Sequence, residues 1–230
     1  MTLIIGERYR PKLGKSLENQ GLSAVWLPDN PDIDPRLAGH ADLSVFMPSA
    51  GTLVVAKGIY LHIVNYLTNR GYSVITSHEQ GKVYPMDAGL CVCATGRYTI
   101  YNPKTVDAAA APLITGVPIR VSQGYAKCSV CVVADDAIIT ADSAIASRAA
   151  DAGMDVCKIQ PGHIFLEGFD YGFIGGASFL IDEKHLAFTG TLEQHPDKER
   201  IFSFLAKHGV RPLFLTNEPI FDIGGAVALP

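Results

Sequence analysis

Long apolar runs are missing from this 230-residue chain, and its 19 Lys and Arg residues do not run together into a basic patch. No stretch approaches the roughly 18 apolar residues of a membrane span. Glu7, Arg8 and Arg10 interrupt the amino-terminal Met-Thr-Leu-Ile-Ile-Gly before a signal sequence forms. The expectation is a cytoplasmic protein with no membrane contact. A net charge of −4 offers phosphate no diffuse attraction, so nucleic acid is not an expected partner either. Cysteine is scarce and odd in number (Cys91, Cys93, Cys128, Cys131, Cys157), which excludes a disulfide framework and leaves thiols. Ser/Gly-rich and highly charged stretches are also lacking, so nothing reads as a linker and residues 1–230 are taken as one domain. The 48% apolar and 18% charged residues are those of a globular core.

What is present is a repeat. After Asp42 come an apolar run Leu43 to Met47, a turn, and a second run Thr52 to Ala56. Tyr60, Ile63, Val64 and Leu67 follow at helical spacing, Gly71 ends the helix, and Tyr72 to Thr76 is a third strand. The order is β-β-α-β. It returns after Asp87, with strands Leu90 to Ala94, Tyr98 to Tyr101 and Pro118 to Val121 and an Ala-rich helix near Val106 to Ala111. After Lys127 come Ser129 to Val133, Ala137 to Thr140, a helix capped by Asp142 and stopped by Gly153, and Asp155 to Ile159. After Asp170 come Phe173 to Ile181, Leu186 to Thr189, a helix Pro196 to His208, and Pro212 to Leu215. After Asp222 only Gly224 to Leu229 remains. Its missing partners stand at the other end: strand Leu3 to Gly6, helix Pro11 to Gln20 and strand Leu22 to Leu27. The economical reading is an α/β five-bladed propeller of ββαβ units about a pseudo-fivefold axis, its ring closed by both termini. An ordinary α/β sandwich with alternating elements is the alternative.

This order resembles the pentein superfamily of guanidino-group-modifying enzymes, which includes deiminases, dimethylarginine hydrolases, amidinotransferases and a ribosome-binding factor that is not an enzyme. Gly39-His40-Ala41-Asp42 is similar to their His-x-Asp segment, Leu166-Glu167-Gly168-Phe169-Asp170 to a weakened Glu-Gly-Gly-Asp segment, and Asp222-Ile223-Gly224-Gly225-Ala226 to their carboxy-terminal glycine-rich strand. The resemblance implies either C–N bond chemistry on a small guanidino or amidino compound, by hydrolysis or amidino transfer, or a binding ring without chemistry. The deiminase nucleophile sits on the last strand, where this chain runs Gly224-Gly225-Ala226-Val227-Ala228-Leu229-Pro230 and has no Cys.

In such a ring the residues entering each first strand meet at the axis: His40, Asp42, Asp87, Lys127, Cys128, Asp170 and Asp222. Asp42, Asp87, Asp170 and Asp222 suit a guanidinium, whose planar fork gives paired N–H donors to carboxylates, although Asp is also a common turn residue. Cys128 reads in two ways. Beside Lys127, whose charge favours the thiolate, and with His40 as proton carrier it is a nucleophile; otherwise it is a small packed residue. Glu167 is placed at the mouth, and His163 at the rim. Cys128-Ser-Val-Cys131 has CxxC spacing, but no second pair completes a zinc set and a strand would separate the two thiols, so neither metal nor cofactor is expected. Cys91 and Cys93 share a predicted strand face in the core, Cys157 reads as core, and His195 reads as structural at a helix start. Gly172 to Gly176 lacks phosphate-loop spacing and reads as close backbone packing. Exposed strand faces leave room for a homodimer.

Overall fold

The computed structural model describes residues 1–59 and 61–229. The chain opens with strand β1 (Thr2–Gly6), helix α1 (Arg10–Asn19) with Pro11 in its first turn, and strand β2 (Ser23–Leu27), which lies parallel to β1. Helix α1 buries Leu13 and Leu17 against that sheet, the one-sided pattern of a surface helix. A short helical turn α2 (Ala41–Ser44) then leads into β3 (Val45–Ser49), followed by β4 (Thr52–Val55), helix α3 (Leu61–Asn69) and β5 (Ser73–Thr76). Strands β6 (Cys93–Ala94), β7 (Tyr98–Tyr101) and β8 (Val117–Arg120) make the next sheet. A second helical turn α4 (Ala126–Ser129) enters β9 (Val130–Ala134), with β10 (Ala137–Thr140), helix α5 (Ser143–Asp151) and β11 (Asp155–Lys158) behind it. The last units are β12 (Ser178–Asp182), β13 (His185–Phe188), helix α6 (Lys198–Lys207), β14 (Arg211–Phe214) and finally β15 (Val227–Leu229).

These strands form five three-stranded sheets, each with one antiparallel and one parallel pair. In four of them the antiparallel pair comes from a tight connection and the parallel pair from a longer crossover. The fifth has the order β15-β1-β2, with Leu229 opposite Thr2 and Val227 opposite Ile4, so its first strand is supplied from the far end of the chain, as the sequence pattern implies. Strand β12 packs beside β9 and β15, and β15 beside β3. The apolar clusters lie between neighbouring sheets and their helices: Phe188, Leu186, Ile201 and Leu205 with Ile139 and Cys157 in one, Leu3, Leu13 and Leu17 with Phe179 and Ile223 in another.

Asp142 caps α5 through bonds to the Ala144 and Ile145 amides, and Gly153 ends the unit with φ +91°, both where the sequence places them. The Ala-rich helix expected at Val106 to Ala111 is instead a set of turns closing in a single 3-10 turn, Ala111–Leu113. Asp107 takes the amides of His78 and Ala109 with its carboxylate, and that local bonding competes with a helix. The run Leu90 to Ala94 narrows to the two-residue β6, and Phe173 to Ala177 form a turn rather than the start of β12. Tyr60, read as the first helical position after β4, lies outside the described residues. Among the described residues no helix is long and apolar enough to cross a membrane.

Candidate functional site

The segments entering β3 and β9 are not extended, as alternation suggested, but wound into the turns α2 and α4. Leu43 of α2, with His40 before it, and Cys128 of α4, with Tyr125 before it, line one cavity, and Asp42 is buried next to them. Both turns are covered by glycine backbone. Gly224 O accepts the Asp42 amide at 3.1 Å, and a side chain on Gly224 (φ +71°) would run into His40. Gly176 N donates to Cys128 O at 2.9 Å, and a Cβ on Gly175 would strike the carbonyls of Lys127 and Val130. The close-packing reading of Gly172 to Gly176 thus has a backbone reason.

Cys128 Sγ donates to Asp42 Oδ2 at 2.8 Å and lies 3.7 Å from Cys91 Sγ. One ring nitrogen of His40, one Asp42 oxygen and Cys128 Sγ all lie within 4.8 Å of one another. The three residues are at most 4% exposed, yet His40 and Cys128 face a cavity of about 260 Å³ whose wall includes Leu43, Tyr125, Phe173 and Asp222. His40 Nδ1 faces Asp222 Oδ1 at 4.0 Å. Among the described residues, neither ring nitrogen of His40 has a hydrogen-bond partner, and Asp42 Oδ1 has none. Buried polar atoms left open in this way ask for a ligand or water to complete them.

Burial pushes the Asp42 carboxyl up to about 7, against the pull of the Lys127 charge and the Cys128 hydrogen bond. Burial also lowers His40, with Asp222 opposing, which favours the neutral ring. The Cys128 thiol is raised well above its ordinary value by its contact with Cys91, by burial and by the Asp42 charge. Lys127 therefore does not bring Cys128 to the thiolate, contrary to what its position in the sequence suggested. Burial acts to lower Lys127, but Cys93, Asp42 and Cys128 outweigh it and the pKa is raised; its Nζ sits 3.4 Å from Gly175 O.

The other expected site residues divide. Asp222 lines the cavity and also accepts the amides of Phe173 (2.8 Å) and Gly224 (2.9 Å), tying the aromatic wall to the turn above α2. Asp170 stands exposed at the rim. Asp87 is buried one layer back, its Oδ2 accepting the Tyr125 hydroxyl at 2.6 Å, so it touches the cavity only through Tyr125. Glu167 lies on a neighbouring groove with Arg8, Lys12 and Arg36, rather than among the cavity residues. Cys91 and Cys93 do not share a face: Cys91 packs with Cys128, Leu43 and Leu166, whereas Cys93 packs with Tyr98 and Ile138. Cys131 belongs to a different cluster from Cys128. His163 is exposed with its ring 5.4 Å from that of His195, and His195 Nδ1 accepts the Asp197 amide at 3.0 Å, the structural bond expected of a helix start. His40, Asp42 and Cys128 offer nitrogen, oxygen and sulfur to a metal. The 2.8 Å thiol–carboxylate separation, however, is shorter than two donors of one tetrahedral zinc ion require. The aromatic wall went unread in the sequence, although Phe169-Asp170-Tyr171-Gly172-Phe173 places three rings in five residues.

The model of a family of unknown function, DUF6873, matches residues 4–227. The chain belongs to the DUF6873 family. No curated protein matches it. Among solved structures, this DUF6873 chain is similar to the DDAH of Pseudomonas aeruginosa complexed with citrulline (TM-score 0.56, 11% identity, 98% of this chain and 95% of that one). It is also similar to the amidinotransferase SxtG of the saxitoxin pathway from Microseira wollei (0.56, 11%, 100% and 95%) and to the inosamine-phosphate amidinotransferase of Streptomyces griseus (0.51, 13%, 93% and 75%). At these identities the likeness shows the fold: the DUF6873 chain has the pentein fold.

Proposed function

We propose that the cavity binds the planar cation of a small guanidino or amidino compound and that Cys128 attacks its central carbon. The observation that carries this reading is the meeting of the Cys128 thiol and the unpartnered His40 ring at the wall of one cavity, with the buried Asp42 carboxylate bonded to the thiol behind them. Asp222 and Asp170, which line the cavity, supply acceptors for the cation's N–H groups. Lys127 balances the charge of Asp42, and Asp87 positions Tyr125. Glu167 stays outside the cation site. In this reading the five sheets stand around a common axis as a closed ring, which the packing of β12 against β9 and β15, and of β15 against β3, supports.

The chemistry balances with these groups alone. As Sγ bonds to the guanidinium carbon, its proton passes to Asp42 Oδ2. The adduct breaks one C–N bond and the amine leaves with the proton that Asp42 held. His40, being neutral, takes a proton from water as the water oxygen attacks the remaining carbon–sulfur adduct. The C–S bond then breaks and the proton returns from His40 to sulfur. An amine in place of water makes the same sequence an amidino transfer.

A non-catalytic receptor for the same cation is the second reading, favoured by the raised pKa of the Cys128 thiol. The two part in an alkylation assay. Chloroacetamidine carries a planar cation beside its reactive carbon, and chloroacetamide is its neutral counterpart. The catalytic reading expects chloroacetamidine to label the folded protein faster by roughly tenfold or more, at Cys128 alone, with the preference lost in Asp42→Asn and labelling lost in Cys128→Ala. Equal rates for the two reagents, or labelling that ignores Cys128, sink it.

A further inference from the structure

The cavity that holds the proposed cation also carries information about the rest of the ligand. Its outer wall is apolar and aromatic, built by Leu37, Leu166, Phe169, Tyr171 and Phe173. Phe169 and Tyr171 remain 38% and 42% exposed at the mouth, an unusual outlay of ring surface to water. Tyr171 and Phe173 meet edge to face at 6.2 Å, so the two rings have fixed orientations. Among the described residues, the ionisable lining consists of His40, Tyr125, Cys128, Asp170, Tyr171 and Asp222, with no Lys or Arg.

The cations nearest the mouth are already engaged. Arg36 holds Asp34 at 2.6 Å and the Gly168 carbonyl at 3.0 Å, with its guanidinium 4.3 Å from the Phe169 ring centre. Arg8 pairs with Asp29 and donates to the Pro35 and Arg36 carbonyls. Lys12 pairs with Glu218 at 3.0 Å. A carboxylate brought in on the ligand's tail meets Asp170 and aromatic rings, while Arg8, Lys12 and Arg36 already have carboxylate partners.

Resting on the proposed cation site, we infer that the substrate class is guanidino or amidino compounds with an apolar, preferentially aryl-bearing tail and no carboxylate. Arginine-like amino acids are thereby disfavoured. Phe169, Tyr171 and Leu166 select the tail by taking its apolar surface from water, and Asp170 rejects anionic tails while tolerating a neutral or cationic one.

The experiment measures how strongly methylguanidine, phenethylguanidine, agmatine and arginine protect Cys128 of the full chain from chloroacetamidine, read by intact mass. Phenethylguanidine is expected to protect at a concentration roughly tenfold or more below that of arginine, with agmatine between them. Phe169→Ala should shrink the phenethylguanidine-to-methylguanidine ratio by about fivefold, and Asp170→Asn should improve protection by arginine. Both residues are exposed at the rim, so these variants should fold, which thermal melting checks. Arginine protecting as well as or better than phenethylguanidine overturns the tail specificity and leaves the cation site standing. Ratios unmoved in both variants overturn the assignment of the tail to this wall. Protection by none of the four compounds overturns the guanidino reading itself, and this inference with it.

Discussion

The turns Ala41–Ser44 and Ala126–Ser129 are the same backbone device used twice. Aligned, His40-Ala41-Asp42-Leu43-Ser44-Val45 stands over Tyr125-Ala126-Lys127-Cys128-Ser129-Val130. Each begins with a ring on the cavity wall, buries its alanine, ends in a buried serine and passes into the first strand of a sheet. Each is roofed by glycine. Yet the third position is an acid in one and a base in the other, and the fourth is Leu in one and a thiol in the other. The difference teaches that the repeated backbone fixes where side chains arrive, while the chemistry lies in the few positions at which the two copies disagree.

Breaking the shared device should produce the largest effects. Gly175→Ala places a methyl group against two backbone carbonyls of the second turn, and Gly224→Ala combines a clash with His40 with a positive φ. Each should cost on the order of 3 kcal/mol or more in urea unfolding, and a loss under 1 kcal/mol would mean the roof moves freely. Next in size is the acid that only the first turn carries. With Asp42 raised to about 7, the fold prefers its protonated form. That contribution is full below about pH 4, near the ordinary carboxyl value, and is lost as pH rises through 7. Wild type should therefore lose a few kcal/mol across that window from this group, and Asp42→Asn should flatten the profile. Identical slopes in the two proteins would contradict the burial of Asp42.

A smaller loss, about 1 to 3 kcal/mol, is expected for Tyr125→Phe, which strips the buried Asp87 of its hydroxyl donor. Asp87 Oδ1 already lacks a partner, so the variant's stability should fall further as pH rises and that carboxyl ionises. Thr140→Val sharpens the comparison at its fine end. Thr140 Oγ1 donates to Ser129 O at 2.8 Å in the second turn, whereas Ser44 O in the first turn takes the Ala56 amide. The loss should be about 1 kcal/mol, with cavity labelling unchanged.

Much of the fold was legible because its signals are long: two-strand runs, helical spacing over two turns, a cap at Asp142 and stops at Gly71 and Gly153. The pairing of β15 with β1 was readable because one end of the chain held a strand without a sequel and the other held the sequel without its strand. The turns α2 and α4 were not readable, since four residues carry less than a full hydrophobic period. That loss propagated to the site. An extended strand puts Cys128 next to Lys127 and away from its other neighbours, whereas the turn delivers its Sγ to Asp42 and Cys91, and those contacts set the thiol's protonation. Asp87 was placed at the centre by analogy among four acids, but its tyrosine partner holds it back.

The pairing of Leu229 with Thr2 and of Val227 with Ile4 also fixes a schedule for the molecule's birth. During synthesis β1 and β2 can pair early, but β1 keeps a row of unsatisfied amides and carbonyls until residues 227–229 clear the ribosome. Every nascent chain thus passes through an interval with an open sheet edge, and a chain cut short before Val227 would keep that edge open.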